Sequence, residues 1–177
     1  MKLKGCIITL LAAVILTACA SAGEDEAAPV MEIDDIKTLV SDYSIKNKTA
    51  QNASITSQQL IVTENDGSET SYDLPKDEFF VSIAPYINET HPCTNHSLTG
   101  CQGELANKEF SLYIEDSDGN VIKDEVVSSP SNGFIDLWLP RDKTFQVKIE
   151  HDGKMADLKL STFEGDPTCI TTMKLMQ

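Results

Sequence analysis

Lys108-Glu109-Phe110-Ser111-Leu112-Tyr113-Ile114-Glu115-Asp116-Ser117-Asp118-Gly119-Asn120-Val121 sets the fold of the downstream half of the chain. Phe110, Leu112 and Ile114 alternate with polar residues, the period of a strand with one face buried. Asp118-Gly119 is a hairpin turn signal. The same grammar continues downstream. Val121 to Val127, Phe134 to Leu139, Phe145 to Ile149, Met155 to Leu160 and Cys169 to Leu175 read as strands, and Asn132-Gly133 and Asp152-Gly153 supply further turns. Short strands at this spacing predict an antiparallel β-sandwich-like domain over residues 88–177.

Upstream the pattern changes. Ile33, Ile36, Leu39, Val40 and Tyr43 recur at helical spacing, and Asp34 and Asp35 suit a first turn. Lys46 to Ser54 is polar and reads as a loop. Gln59 to Thr63, the turn Asn65-Asp66-Gly67-Ser68 and Glu69 to Leu74 make a hairpin. Pro75-Lys76-Asp77-Glu78 is placed to open a short helix through Phe79, Phe80 and Ile83. The expectation is α+β: a small helix–hairpin–helix unit over residues 31–87, then the β-rich domain. A unit that small packs on the other half or on a second copy of itself, which makes a homodimer an expected assembly.

The N-terminus sets the compartment. Met1-Lys2-Leu3-Lys4-Gly5 is basic, Ile7 to Leu16 is apolar, and Leu16-Thr17-Ala18-Cys19 resembles a bacterial lipobox. Residues 1–18 read as a lipoprotein signal peptide and Cys19 as the lipid attachment site. The acidic, Gly/Ser/Pro-containing residues 19–30 read as a flexible tether. The chain is thus expected outside the cytoplasm, membrane-anchored and facing the periplasm or cell exterior. Removing residues 1–18 takes Lys2 and Lys4 and leaves 12 basic against 28 acidic residues, a net charge of −16. Such a surface repels nucleic acid.

Cysteine carries the chemistry. Cys6 leaves with the signal and Cys19 takes lipid, so three thiols remain: Cys93, Cys101 and Cys169. Three cannot all pair within one chain. Cys93 and Cys101 lie in His91-Pro92-Cys93-Thr94-Asn95-His96-Ser97-Leu98-Thr99-Gly100-Cys101-Gln102-Gly103-Glu104, a loop punctuated by Pro92, Gly100 and Gly103. Three thiolates in a trigonal set suit Cu(I), with His96 as a candidate fourth ligand. A zinc site of Cys93, His96, Cys101 and Cys169 ranks second, because the first three lack zinc-finger spacing. A Cys93–Cys101 disulfide with an inert, buried Cys169, in a structural or thiol–disulfide lipoprotein without a specific metal, is the remaining alternative. Cys93 and Cys101 are also redox candidates, since a dithiol can reduce metal ions and then needs a reductant to restore it.

Other residues receive plainer assignments. His91 precedes Pro92 and is assigned a loop hydrogen bond ahead of ligation. His151 sits before a turn and is assigned to solvent. Met173 shares strand parity with Cys169 and is assigned to core packing ahead of a thioether contact. Trp138 is assigned to packing, and Glu104 to a cap or an acceptor near the site. No Ser-His-Asp order or nucleophile elbow marks a hydrolase.

The cysteine segment 91–104 resembles the CueP family of copper-binding proteins. So do Phe134-Ile135-Asp136-Leu137-Trp138-Leu139-Pro140-Arg141-Asp142 and Asp166-Pro167-Thr168-Cys169-Ile170-Thr171-Thr172-Met173, in the same order. The resemblance implies copper ligation by the cysteines at 93, 101 and 169. It also implies a part in copper tolerance or copper supply to a client enzyme, and reduction of Cu(II) or Fe(III). The lipobox departs from the soluble members of the family and points to storage or detoxification at a membrane surface.

Overall fold

A computed structural model describes residues 31–177. The signal peptide, Cys19 and the tether lie outside these residues. No helix among the described residues is long and apolar enough to cross a membrane.

The described chain runs α1 (Ile33–Ser44), β1 (Asn52–Ile55), β2 (Gln59–Thr63), β3 (Glu69–Asp73), β4 (Glu78–Ile83), β5 (His96–Ser97), β6 (Glu109–Asp116), β7 (Val121–Ser128), β8 (Ile135–Pro140), β9 (Thr144–His151), β10 (Lys154–Ser161) and β11 (Cys169–Ile170). Three sheets form, in the orders β3-β2-β1-β5, β10-β9-β6-β7 and β11-β4-β8. The last is the middle layer. Phe79, Val81 and Ile83 of β4, with Ile135, Leu137 and Leu139 of β8, face the sheet of β6 and β9 and bury Phe110, Leu112, Ile114, Phe145, Val147 and Ile149. On the opposite face, Phe80 and Trp138 pack with α1 and the first sheet. Their rings meet edge-on with centroids 5.2 Å apart.

The helix forms as its apolar spacing predicts: Ile36, Leu39, Val40 and Tyr43 are buried, while Ile33 stays half exposed. Its C-terminus stops at Lys46, which has φ of 63°. The β2–β3 hairpin also forms, with Gly67 at φ 86° and Asp66 Oδ1 accepting from the Ser68 amide.

Three expectations need correction. The segment from Pro75 to Ile83 is not a second helix but strand β4, so the unit is helix–hairpin–strand. Its run of Phe79, Phe80, Val81, Ser82 and Ile83 is fully buried because β4 is central, with β8 on one side and β11 on the other. A strand covered on both faces loses its alternation and cannot be told from a buried helix by period. Residues 52–55 are not loop: β1 pairs antiparallel with β2 and with β5, burying Ala53 and Ile55. Finally, the last strand is short and parallel to β4, with Cys169 opposite Ser82. Beyond it the chain crosses between layers. Lys174 bridges to Tyr86, and Met176 then bridges to Met155 on the edge of the outer sheet.

Asp116 ties the β6–β7 turn to the β8–β9 connection. Its carboxylate accepts from Lys143 Nζ at 2.9 Å, the Asn120 amide at 2.9 Å and the Asp118 amide at 3.0 Å. The Lys143 ammonium, aided by the Asn120 donors, holds the carboxyl well below the usual carboxylate range. A depressed carboxyl stabilises the fold above its unfolded pKa of about 3.9, and that contribution disappears as the pH falls further. Thermal unfolding should therefore show Asp116→Asn less stable than wild type at pH 6, with the gap shrinking below about pH 4.

Candidate metal centre

Cys93, His96, Cys101 and Cys169 converge. One ligand atom from each lies within 4.8 Å of all the others, and this is the single such His/Cys/Asp/Glu group among the described residues. The four come from two distant stretches, and Thr168 joins them. Its hydroxyl donates to the Ile55 carbonyl at 2.6 Å and accepts from the His96 amide at 3.0 Å. The amides of Thr168 and Cys169 both donate to the Thr94 carbonyl, at 3.0 and 3.1 Å, and the Ser82 amide donates to the Thr168 carbonyl. The cysteine loop is thereby laced to β4 and β11 through backbone groups.

A second set of contacts seats Cys101. Its amide donates to the Ser97 carbonyl at 3.0 Å, and the Gly103 amide donates to the Asn132 carbonyl at 2.7 Å. Gly103 and Gly133 lie backbone to backbone. A Cβ on Gly103 would sit 2.5 Å from the Gly133 carbonyl oxygen, and one on Gly133 would sit 2.6 Å from that of Gly103. Gly133 also has φ of 75°. Buried Asn132 anchors this point by donating to the carbonyl and hydroxyl oxygens of Ser44. Glu104 accepts from the amides of Ile87, Asn88 and Glu89. That clips the two ends of the loop together and makes Glu104 an acceptor beside the site, not a helix cap. Against the cost of desolvation, these amides hold its carboxyl at about 2.

The thiols are not equivalent. Cys169 is buried, whereas Cys93 and Cys101 are half-buried. Cys93 forms a disulfide with Cys169, whereas the alternative disulfide and the redox pair read from the sequence joined it to Cys101. The reason is placement: the shared Thr94 carbonyl draws the start of β11 against the residue next to Cys93. Cys101 is free, with its Sγ 3.6 Å from that of Cys93. Burial pushes its pKa up, against the opposing backbone hydrogen bond at Ser97. Cys101 therefore rests as a thiol at neutral pH.

His96 is wholly buried, and neither ring nitrogen has a hydrogen-bond partner among the described residues. Its ring centroid lies 4.4 Å from that of buried Phe134. Burial pushes the imidazole pKa down to about 4; the nearby Asp136 carboxylate works against this and His91 with it. The ring is thus neutral at pH 7 and presents a free lone pair. A buried polar atom without a partner costs about 1–3 kcal/mol, so an imidazole left this way beside three sulfurs fits a ligand set. Phe134 and Ala84, packed with Cys169, form the apolar wall.

The remaining histidines and Met173 are not among the four converging residues. His91 packs near Phe134, with ring centroids 6.3 Å apart. His151 is not solvated as expected: its side chain is only 12% exposed, with Nδ1 2.8 Å from the Glu109 carbonyl oxygen. Met173 is buried in the main core, which agrees with its packing assignment. Trp138 packs as assigned. The sequence reading missed Thr168, Asn132, Gly133 and Phe134. Gly133 was legible only as a turn, and nothing in the composition marked Thr168 as a hub.

The profile of the family described as "Periplasmic copper-binding protein CueP" matches residues 33–174. The chain belongs to the CueP family. Its copper-binding, periplasmic character accords with the Cys/His cluster. The match takes in the helix and first sheet as well as the cysteine segments. A solved structure titled "Crystal Structure of S.CueP" is 36% identical, with a TM-score of 0.74, over 80% of this chain and 88% of that chain. No curated protein matches.

If the glycine contact seats Cys101, Gly133→Ala will displace it. The left-handed backbone alone costs a β-carbon about 1–2 kcal/mol. We expect a lower melting temperature and faster alkylation of Cys101 in the folded protein, measured by mass spectrometry. Unchanged Cys101 reactivity would refute the seating role.

Proposed function

We propose that this chain captures copper outside the cytoplasm as Cu(I), through the thiolates of Cys93, Cys101 and Cys169 with the His96 imidazole as a fourth donor. The observation that carries the reading is the buried, partnerless, neutral His96 set among three sulfurs. Soft thiolates select Cu(I), and an apolar wall at Phe134 and Ala84 keeps water from competing on the inner side. Half-buried Cys93 and Cys101 give the ion its way in. Copper here is cargo, and the function is copper tolerance or supply to a copper-requiring client.

The thiols also supply electrons. Two thiols joining as a disulfide release two protons to solvent and two electrons, and the electrons reduce two Cu(II) to Cu(I) or two Fe(III) to Fe(II). In this reading the bonded Cys93–Cys169 pair would be the oxidised product. It leaves Cys101 and His96 as donors, so oxidised protein holds Cu(I) more weakly. An external thiol reductant must reopen the pair. The lipobox at Leu16–Cys19 supports an anchor at Cys19 and capture at a membrane surface.

The same four donors suit tetrahedral zinc, so the test includes it. In an anaerobic competition titration, reduced protein should bind Cu(I) stoichiometrically. Cys169→Ser should weaken binding by about a hundredfold or more, His96→Gln by about tenfold, and equimolar zinc should not displace the ion. Equal Cu(I) affinity in fully oxidised and reduced protein would sink the thiolate reading, and displacement by zinc would assign the site to zinc.

A further inference from the structure

Residues 31–177 contain four methionines: Met31, Met155, Met173 and Met176. Three of them line one surface groove of about 580 Å³, with Glu150, Asp157, Lys154 and Lys174 around them. None of Cys93, His96, Cys101 or Cys169 lines it. Met155 and Met176 are directly opposite across an antiparallel bridge. The Met155 amide donates to the Met176 carbonyl at 2.8 Å, and the Met176 amide returns the bond at 3.0 Å. Residues exchanging both backbone bonds point their side chains to the same face, with Cβ atoms about 5 Å apart. That face is the solvent side of the outer sheet. Met155 is 47% exposed and Met176 62%, while the next residue on β10, Ala156, turns into the core.

Glu150 extends the row. It is the register partner of Met155 on β9, so its carboxylate shares the face with the two thioethers. Two large flexible apolar side chains left opposite each other in water stabilise the fold little. As ligands they differ from thiolates in one respect. Thioethers are soft donors to Cu(I), but they neither ionise nor pair as disulfides, so their donor capacity does not depend on the state of Cys93, Cys101 and Cys169.

We infer that the exposed Met155/Met176 pair is a second Cu(I) site separate from the cysteine centre. The inference rests on the copper reading above and supplies what that reading lacks. When two thiols become a disulfide, the Cu(I) just formed loses two of its ligands. A methionine site retains soft donors in that oxidised state and can hold the ion until a reductant reopens the cysteines. Met176 stands seven positions after Cys169, which places their Cα atoms at most about 25 Å apart.

The test uses protein labelled with ¹³C at the methionine methyls, with all thiols blocked by iodoacetamide. Cu(I) is added under nitrogen as its acetonitrile complex. We expect the methyl signals of Met155 and Met176 to shift together and saturate at one equivalent, with Met31 unmoved. Met155→Leu/Met176→Leu should weaken this binding at least tenfold. An unchanged melting temperature in the metal-free variant shows that the fold is kept. No shift at Met155 and Met176 up to millimolar Cu(I), an equal shift at Met31, or unaltered binding in the double variant would each overturn the proposal. The cysteine centre is assayed separately, as Cu(I) bound per free thiol in unblocked reduced protein. Failure there would strike the copper reading, whereas failure confined to the methionine signals would strike only the second site.

Discussion

The parallel pairing of β11 with β4, closed by Thr168, is the contact on which the site depends. β4 is the central strand of the middle layer, buried on both faces. A strand held that way moves little, so whatever pairs with it is placed firmly. Pairing Cys169 with Ser82 puts one buried sulfur at the edge of this layer. Thr168, one residue earlier, then spends its amide, carbonyl and hydroxyl on three other segments: Thr94, Ser82, and the Ile55 and His96 backbone. One residue thus brings a thiol 76 positions downstream against Cys93.

Around that fixed sulfur, the loop is held by backbone contacts and by Glu104. The glycine-to-glycine approach at 103 and 133 works because neither residue has a β-carbon. This arrangement fixes the positions of the donors while leaving Cys93 and Cys101 partly open to solvent. His96 shows the opposite balance: it is sealed, neutral and unsatisfied, a local cost that the surrounding pairing of β5 with β1 sustains. Under the proposed copper reading the three sulfurs would serve two incompatible purposes, because electrons leave them only by making the bond that removes them as ligands.

Much of the β architecture was legible. Phe110, Leu112 and Ile114 alternate because β6 has one face in the core and one toward solvent. The Asp118-Gly119, Asp152-Gly153 and Asn65–Ser68 turns appear where their residues allow positive φ. The helix was legible from Ile36, Leu39, Val40 and Tyr43. β4 was not, because burial on both faces erases the alternation. β1 was not, because four residues are too few to show a period. The candidate ligands were legible as residue types, since soft sulfur and imidazole are rare in this chain. Their partners were not: the bonding of Cys93 to Cys169, and not to the nearer Cys101, follows from backbone contacts with Thr94 that no local pattern carries.

By itself the sequence determined the candidate donor residue types, the strand-and-turn grammar and the family, because these reside in residue type and short-range spacing. Tertiary structure alone decided which strand is central, that His96 is buried without a partner, which thiols meet, and that Met155 and Met176 stand opposite each other. Those outcomes depend on contacts between segments far apart in the chain, where register and layer packing choose among partners that local spacing leaves equivalent.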